Sequence, residues 1–379
     1  MVTANAYYIH PIISTIAAHF GISEDMIGIV PSFNQLALAL GIFLLLPLGD
    51  WFSNRKLILI FVAGQVVTLV VMAIAESFWL FVAASTVMGF CTIAPYLLPA
   101  YVSKRVPVTR LGHSTAMLTV GVIFGILVAR AGAGVIAEYF HWRAVYWIAA
   151  ALMAGVSILL FLIMKERQTE RAPVRSGSYL NLLLSLATVV KAHPEILLSG
   201  TIQGLGFGTF LAVWMGIGLH LTGPEMGYGT DVVGYLAVLT IFNLFITPRL
   251  GRWADKIGAR RARLIFASIN LCGASLYLFT GHSLWLLIIP IMITNTVGPT
   301  IDVSNRMTFL SQPPDVRTRL MTIYIVFMFV GGGLASWAGT AAYHFGGWTG
   351  TASLALATTA SLFALSLIGF LCKRDNTPA

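Results

Sequence analysis

The chain has 379 residues, 58% of them hydrophobic and only 10% charged, with 23 lysines and arginines against 14 acidic residues for a formal charge of +9. A soluble domain carries roughly a quarter charged residues, so a water-soluble fold is excluded. The cations sit in short loops between apolar stretches, which argues against nucleic-acid binding. Cys91, Cys272 and Cys372 have no CxxC or histidine-rich neighbourhood, so no disulfide framework, metal site or cofactor is expected.

A bilayer core about 30 Å thick takes roughly 20 apolar residues per helix. In chain order such spans are expected near 1–20, 25–49, 56–75, 78–102, 115–139 and 143–164, then 194–221, 230–250, 262–281, 283–307, 318–343 and 348–372. This is an all-α membrane protein of about twelve transmembrane helices. Residues 1–164 and 194–379 are expected to form two six-helix bundles joined by a linker over 165–193. The linker opens with Lys165, Glu166, Arg167, Glu170, Arg171, Pro173 and Arg175, while its stretch from Tyr179 to Val190 is apolar on one side and suits an interfacial helix. No basic leader or small-residue cleavage site marks a signal peptide at the N-terminus.

Assigning alternate loops to one side gathers Arg55, Lys56, Lys104, Arg105, Arg110, the linker cations, Arg249 to Arg263, Arg306, Arg317, Arg319, Lys373 and Arg374 together. The opposite loops carry Glu24, Asp25, Glu76, Glu138, Glu225 and Asp231, with only Arg130 and Arg143 as exceptions. Lys/Arg bias fixes orientation, so the basic loops and the C-terminus are expected in the cytoplasm of a cell whose inner membrane holds the chain.

The two halves repeat in the same direction. Asp50 in LPLGDWFSNRK corresponds to Asp255 in GRWADKIGARR, Ala94-Pro95 to Gly298-Pro299, and Phe140-His141-Trp142 to Phe345-Gly346-Gly347-Trp348, about 205 residues apart in each case. Parallel six-helix repeats are a transporter architecture with a site near the midplane between halves. Aligning the start of span 7 with the start of the chain leaves span 1 short of its first turns. Helix 1 is therefore expected to be truncated, with Met1 internal to a longer reading frame or the chain a decayed copy.

The string Gly251-Arg252-Trp253-Ala254-Asp255-Lys256-Ile257-Gly258-Ala259-Arg260-Arg261 is read as a short cytoplasmic loop between spans 8 and 9, with glycines for a tight reversal and a carboxylate among cations to hold helix ends. It closely resembles the loop signature of the major facilitator superfamily, G-x-x-x-D-[RK]-x-G-[RK]-[RK]. In the first half Asp50, Arg55 and Lys56 fit the signature, while Leu46, Trp51, Ser53 and Asn54 depart from it. The order GDWFSNRK, TIAPYLLPAYVSKRVPVTRLG, GVIFGILVARAGAG, HWRAVYW is similar to the bacterial drug and small-molecule efflux branch. Gly121, Gly125, Gly132 and Gly134 resemble that branch's antiporter signature, with Ile126 where the signature has proline. Their spacing also permits plain close helix packing.

Within the spans, Pro95 and Pro299 are expected to leave the carbonyls of Cys91 and Asn295 without helical donors near mid-membrane. Asn34, Gln35 and Gln203 lie at similar depth and suit either a cavity wall or interhelical bonding. His10, Arg130 and Asp302 are the ionisable groups inside spans. Arg130 lies roughly 13 Å from the end of span 5, where a charge needs compensation, and its repeat counterpart is Ala335 or Ser336, so the scaffold does not demand it. Asp302 can pair with Arg306 at i+4, and His10 can titrate or pack.

The expectation is a secondary transporter that exports a small organic solute by alternating access, acting as a monomer in the bilayer. Proton coupling is what the resemblance implies. A passive facilitator, an importer of a small metabolite and a non-transporting membrane sensor are the alternatives. An enzyme is not expected, because no nucleophile–base pair or paired carboxylate appears at a shared depth.

Overall fold

The computed structural model describes residues 1–50, 52–103, 105–164, 179–310 and 312–372. All regular structure there is helical. Among the described residues nine helices are long and apolar enough to cross a membrane, and the bent pair Thr230–Phe242 and Phe245–Ile257, taken as one span, makes a tenth. The last of the nine, α15 (Pro314–Leu371), holds two of the expected spans, broken at Gly347, where φ is 55° and ψ is −146°. Span 1 is shorter: a 3₁₀ turn at Val2–Tyr7 leads into α1 (Ile9–Phe20). Pro11 is the third residue of α1, where a missing N–H costs nothing.

The spans follow the expected order, with instructive departures at their ends. Span 2 begins with a single turn, α2 (Glu24–Ile27), before α3 (Ile29–Leu45), and span 3 is α4 (Asn54–Ile74). Span 4 is not one kinked helix. It divides into α5 (Phe78–Cys91) and α6 (Ala94–Ser103), so Pro95 falls in the first turn of α6, where proline is tolerated. Pro95 still offers the Cys91 carbonyl no N–H, but Cys91 ends α5 instead of lying inside a kinked helix. Pro99, inside α6, went unremarked in the sequence. Spans 5 and 6 are α7 (Val108–Tyr139) and α8 (Trp142–Ile163), and α9 (Tyr179–Ala192) is the helix suggested for the end of the linker. The polar part of the linker, 165–178, lies outside the described residues.

The second half contains α10 (Glu195–Thr222), α11 (Thr230–Val238), α12 (Asn243–Ile257), α13 (Ala259–Thr280) and α14 (Leu284–Leu310) ahead of α15. The signature expected as a loop is mostly helix. Gly251, Asp255 and Lys256 belong to α12, while Arg260 and Arg261 open α13. Gly258 alone reverses the chain, at φ 89° and ψ 144°, a left-handed conformation that other residues rarely adopt.

The chain divides into two compact units, so far as its residues are described. One comprises Met1–Ile22, Ile29–Ser185 and Gly229–Val238; the other comprises Ser23–Gly28, Leu186–Tyr228 and Leu239–Ala379. Each unit therefore includes a short segment from the other half of the sequence. In the first, α11 lies along α7: Gly134 faces the Thr230 carbonyl so closely that a Cβ there would stand 2.5 Å from its oxygen. In the second, α2 lies on α15 through Gly28 and Thr340, which leave no room for a Cβ at position 28.

Two arginines tie α4 to α8. Arg55, in the first turn of α4, donates to the carbonyls of Met164 at 2.5 Å and Phe161 at 3.3 Å, at the end of α8. Arg143, in the first turn of α8, donates to the carbonyl of Ala75, which caps α4, at 2.7 Å. Each supplies a donor where a helix end has carbonyls to spare. Arg143, one of two cations on the acidic side of the sequence map, is accounted for by this capping role.

Candidate functional site

The other exceptional cation, Arg130, is buried at 3% exposure on α7. Alpha1 and the 3₁₀ turn before it pack on this helix and bring up Tyr7 and His10, both buried. Arg130 Nη2 lies 2.8 Å from His10 Nδ1, and the guanidinium carbon lies 5.1 Å from the centre of the Tyr7 ring. The His10 and Tyr7 rings are 5.2 Å apart. A guanidinium only donates, so Nδ1 must accept and the imidazole proton must reside on Nε2. That buried Nε2 has no hydrogen-bond partner among the described residues. The cluster joins a fixed positive charge to the one side chain whose ordinary titration range is physiological.

The cluster is specific to the first half. The positions 205 residues beyond Tyr7, His10 and Arg130 are Ala212, Met215 and Ala335. There small residues pack instead: Ala212 faces Gly339, and Ala335 faces Gly208, each so closely that a Cβ on the glycine would overlap it.

A chain of amides lies nearby in the same unit. Thr92 Oγ1, at the break between α5 and α6, donates to the Met88 carbonyl at 2.8 Å and so accepts from Gln65 Nε2 at 2.6 Å. Gln65 Oε1 then accepts from Asn5 Nδ2 at 3.0 Å, which turns Asn5 Oδ1 the other way, without a donor among the described residues. Asn34 Nδ2 donates to the Ser85 carbonyl at 2.7 Å, leaving its Oδ1 in the same condition, and Gln35 Oε1 is likewise buried without a donor. Asn5 and Asn34 line a cavity of about 10 Å³, room for one water and far too small for an organic solute.

In the second unit Gln203 on α10 and Asn295 on α14 are buried. Pro299 stays inside an unbroken α14, unlike its counterpart Pro95. Asp302 accepts from Arg306 Nε at 2.9 Å, the i+4 pair the spacing suggested, and from the Tyr324 hydroxyl at 2.6 Å. The carboxylate thus joins a cation and a phenol from two helices. Arg263, counted in the sequence only as a loop cation, is buried at 2% exposure and donates to Asn305 Oδ1 at 3.2 Å.

The loop residues are dispersed. Arg55 caps α8, Arg260 Nη2 lies 3.4 Å from Glu195 Oε2, and Asp255 is exposed with no ion pair among the described residues. Lys56 is exposed, and Arg261 lies beside Arg260 in the first turn of α13. The backbone of Asp50 ends the 3₁₀ turn Leu46–Asp50; its side chain lies outside the described residues. Of the α7 glycines, Gly134 makes the close helix approach and Gly125 abuts the Met1 nitrogen, whereas positions 121 and 132 have open space where a Cβ would be. The expected four-glycine packing face is therefore limited to two. Tyr7, Asn5, Gln65, Thr92 and Tyr324 were not foreseen. A search of the apolar spans for amides and phenols, as well as charges, would have found them.

A sequence profile described as Major Facilitator Superfamily matches residues 1–336. A protein of Escherichia coli (strain K12) described as an uncharacterized transporter, YgaY, is 28% identical over 360 residues, covering 92% of this chain and 88% of that protein. Multidrug resistance protein MdtG of Serratia proteamaculans is 27% identical over 222 residues, 57% of this chain and 52% of that one. Among solved structures, a bacterial homologue of the human lysosomal transporter Spinster, inward-facing and occupied, superposes with a TM-score of 0.76 at 15% identity, covering 100% of this chain and 96% of its own.

Proposed function

Because this chain belongs to the major facilitator superfamily, and is thus a multi-pass membrane transporter of a small molecule and not an enzyme, we propose that it is a proton-coupled exporter of a small organic solute in which Arg130 and His10 govern coupling. The observation that carries this reading is the buried hydrogen bond from Arg130 to His10 Nδ1. A proton on Nδ1 and that bond are mutually exclusive, since imidazolium has no acceptor left. Protonation therefore sets two positive charges side by side and frees the guanidinium to turn toward a solute acceptor. Arg130 keeps its charge throughout, so His10 is the member that changes state. Export is supported by the partial likeness to a multidrug resistance protein. The orientation, basic loops and C-terminus in the cytoplasm, follows from the Lys/Arg bias.

The two units are read as the moving bodies of alternating access, and the solute as engaging Arg130 and His10 in the first unit; Gln203 and Asn295 are read as pathway residues of the second. Asp50, Asp255 and the cations of the signature are read as cytoplasmic gating groups. The test is flux in proteoliposomes against a panel of drugs, sugars and amino acids, with and without an imposed proton gradient. Export that collapses with the gradient and is lost in Arg130→Ala, while that variant inserts and folds, supports the reading. Gradient-independent flux, or full flux in Arg130→Ala, overturns it.

A further inference from the structure

In the second unit His344, three residues before the break of α15 at Gly347, lies near two carboxylates of α2. Its Nδ1 is 3.8 Å from Glu24 Oε2 and its Nε2 is 4.0 Å from Asp25 Oδ1. We propose that His344, Glu24 and Asp25 form a proton-binding latch that fastens the start of span 2 to span 11 when the outer medium is acidic. The latch rests on the orientation and alternating access proposed above, and it concerns residues that the Arg130 site does not use.

The chemistry lies in the number of donors. A neutral imidazole has one N–H and serves one of the two carboxylates; an imidazolium has two, one aimed at each. Each ring nitrogen lies within ion-pair range of a carboxylate but beyond hydrogen-bond distance, so an added proton cancels one of two adjacent negative charges and draws both contacts in. Imidazole is the side chain that changes charge between mildly acid and neutral conditions. All three groups are partly exposed, at 39%, 44% and 35% of their side-chain surface, so outer protons have access. The other groups facing this spot are Tyr343, with Glu24 and Glu225 near its hydroxyl, and His220 on α10, whose ring is 6.2 Å from that of Tyr343 and whose Nε2 donates to the Gly281 carbonyl. No lysine or arginine among the described residues pairs with Glu24 or Asp25.

Placement makes the contact a latch. Residues 23–28 come from the first half of the sequence, yet they belong to the second unit, pressed on Thr340 through Gly28. The repeat supplies a control, because Thr230 lies 205 positions beyond Asp25 and docks on α7 of the first unit in the related way. There Glu138 accepts from the Thr230 N–H at 2.8 Å and hydroxyl at 3.1 Å, with no imidazole in the contact. Two repeat-related docks thus differ in whether an imidazole takes part.

The test is amide hydrogen exchange over residues 23–28 of the purified full chain in lipid nanodiscs, which needs no solute. Parent and His344→Gln are compared at the same pH, so that the intrinsic pH dependence of exchange cancels. At about pH 5.5 the variant is expected to exchange about two- to fivefold faster than the parent, the range an exposed ion pair commands, and at about pH 8 the two should agree. Glu24→Gln/Asp25→Asn should abolish the pH-dependent part with the imidazole still present. An equal ratio at both pH values, or a pH response that survives in the carboxylate variant, overturns the latch. Absence of flux in the transport assay overturns the proposed function and leaves this measurement untouched.

Discussion

Breaking the Arg130–His10 contact one partner at a time should give unequal and non-additive losses. His10→Leu leaves Arg130 Nη2 without its imidazole acceptor; a hydrogen bond to a charged group contributes about 1.5–3 kcal/mol. Arg130→Met removes the buried charge along with the bond, so His10 Nδ1 loses its donor while the desolvation of a guanidinium is relieved, and the net cost should be smaller. The double variant abandons both partners, and its loss should fall short of the summed single losses by about 1.5–3 kcal/mol, the coupling expected of contacting residues. His10→Asn is the conservative arm: its side-chain oxygen can occupy the place of Nδ1, so Arg130 keeps an acceptor and most stability should return. The measurement is unfolding of purified protein in mixed micelles across rising denaturing detergent, for parent, three single variants and the double. Additivity within about 0.5 kcal/mol would show that the two side chains do not interact in the membrane, and the coupling mechanism built on their bond would fall with it.

Other variants separate the roles of individual groups. Gly134→Ala should lower thermal stability by about 1–3 kcal/mol because its Cβ meets the Thr230 carbonyl, whereas Gly121→Ala, with open space, should be neutral or stabilising by up to about 1 kcal/mol. Tyr324→Phe should cost about 1 kcal/mol by removing a donor from Asp302, read in the same unfolding assay. Asp255→Asn should insert normally and shift the balance between inward and outward states; equal accessibility of single cysteines from both sides in variant and parent would remove Asp255 from the gating residues.

The helical spans were legible because a run of some 20 apolar residues is a long signal, and the repeat was legible in Asp50/Asp255 and Pro95/Pro299. What those residues do locally was less so. Pro95 and Pro299 are equivalent in sequence, but one lies in the first turn of a new helix and the other sits inside an intact one, and at the break before Pro95 the Thr92 hydroxyl bonds the Met88 carbonyl. Likewise Gly251 and Gly258 look alike in the signature, and only the second takes a left-handed conformation. Arg130 could be singled out because charge inside an apolar span is conspicuous; its partner His10 could be listed as ionisable but not joined to it, since the pairing spans 120 residues. Arg263 was missed because a basic loop sequence conceals which of its cations points inward.

The reciprocal arginines of α4 and α8 have a mechanical meaning. Twenty-one residues of α4 rise about 31 Å, enough to cross a hydrocarbon core, and the two guanidiniums bind at its opposite ends. Sliding either helix along the other by even one residue, about 1.5 Å, would pull both guanidiniums off their carbonyls at once. The pair therefore behaves as a strut of fixed length. A thinner or thicker membrane has to be met by tilting the two helices together, not by shearing one past the other.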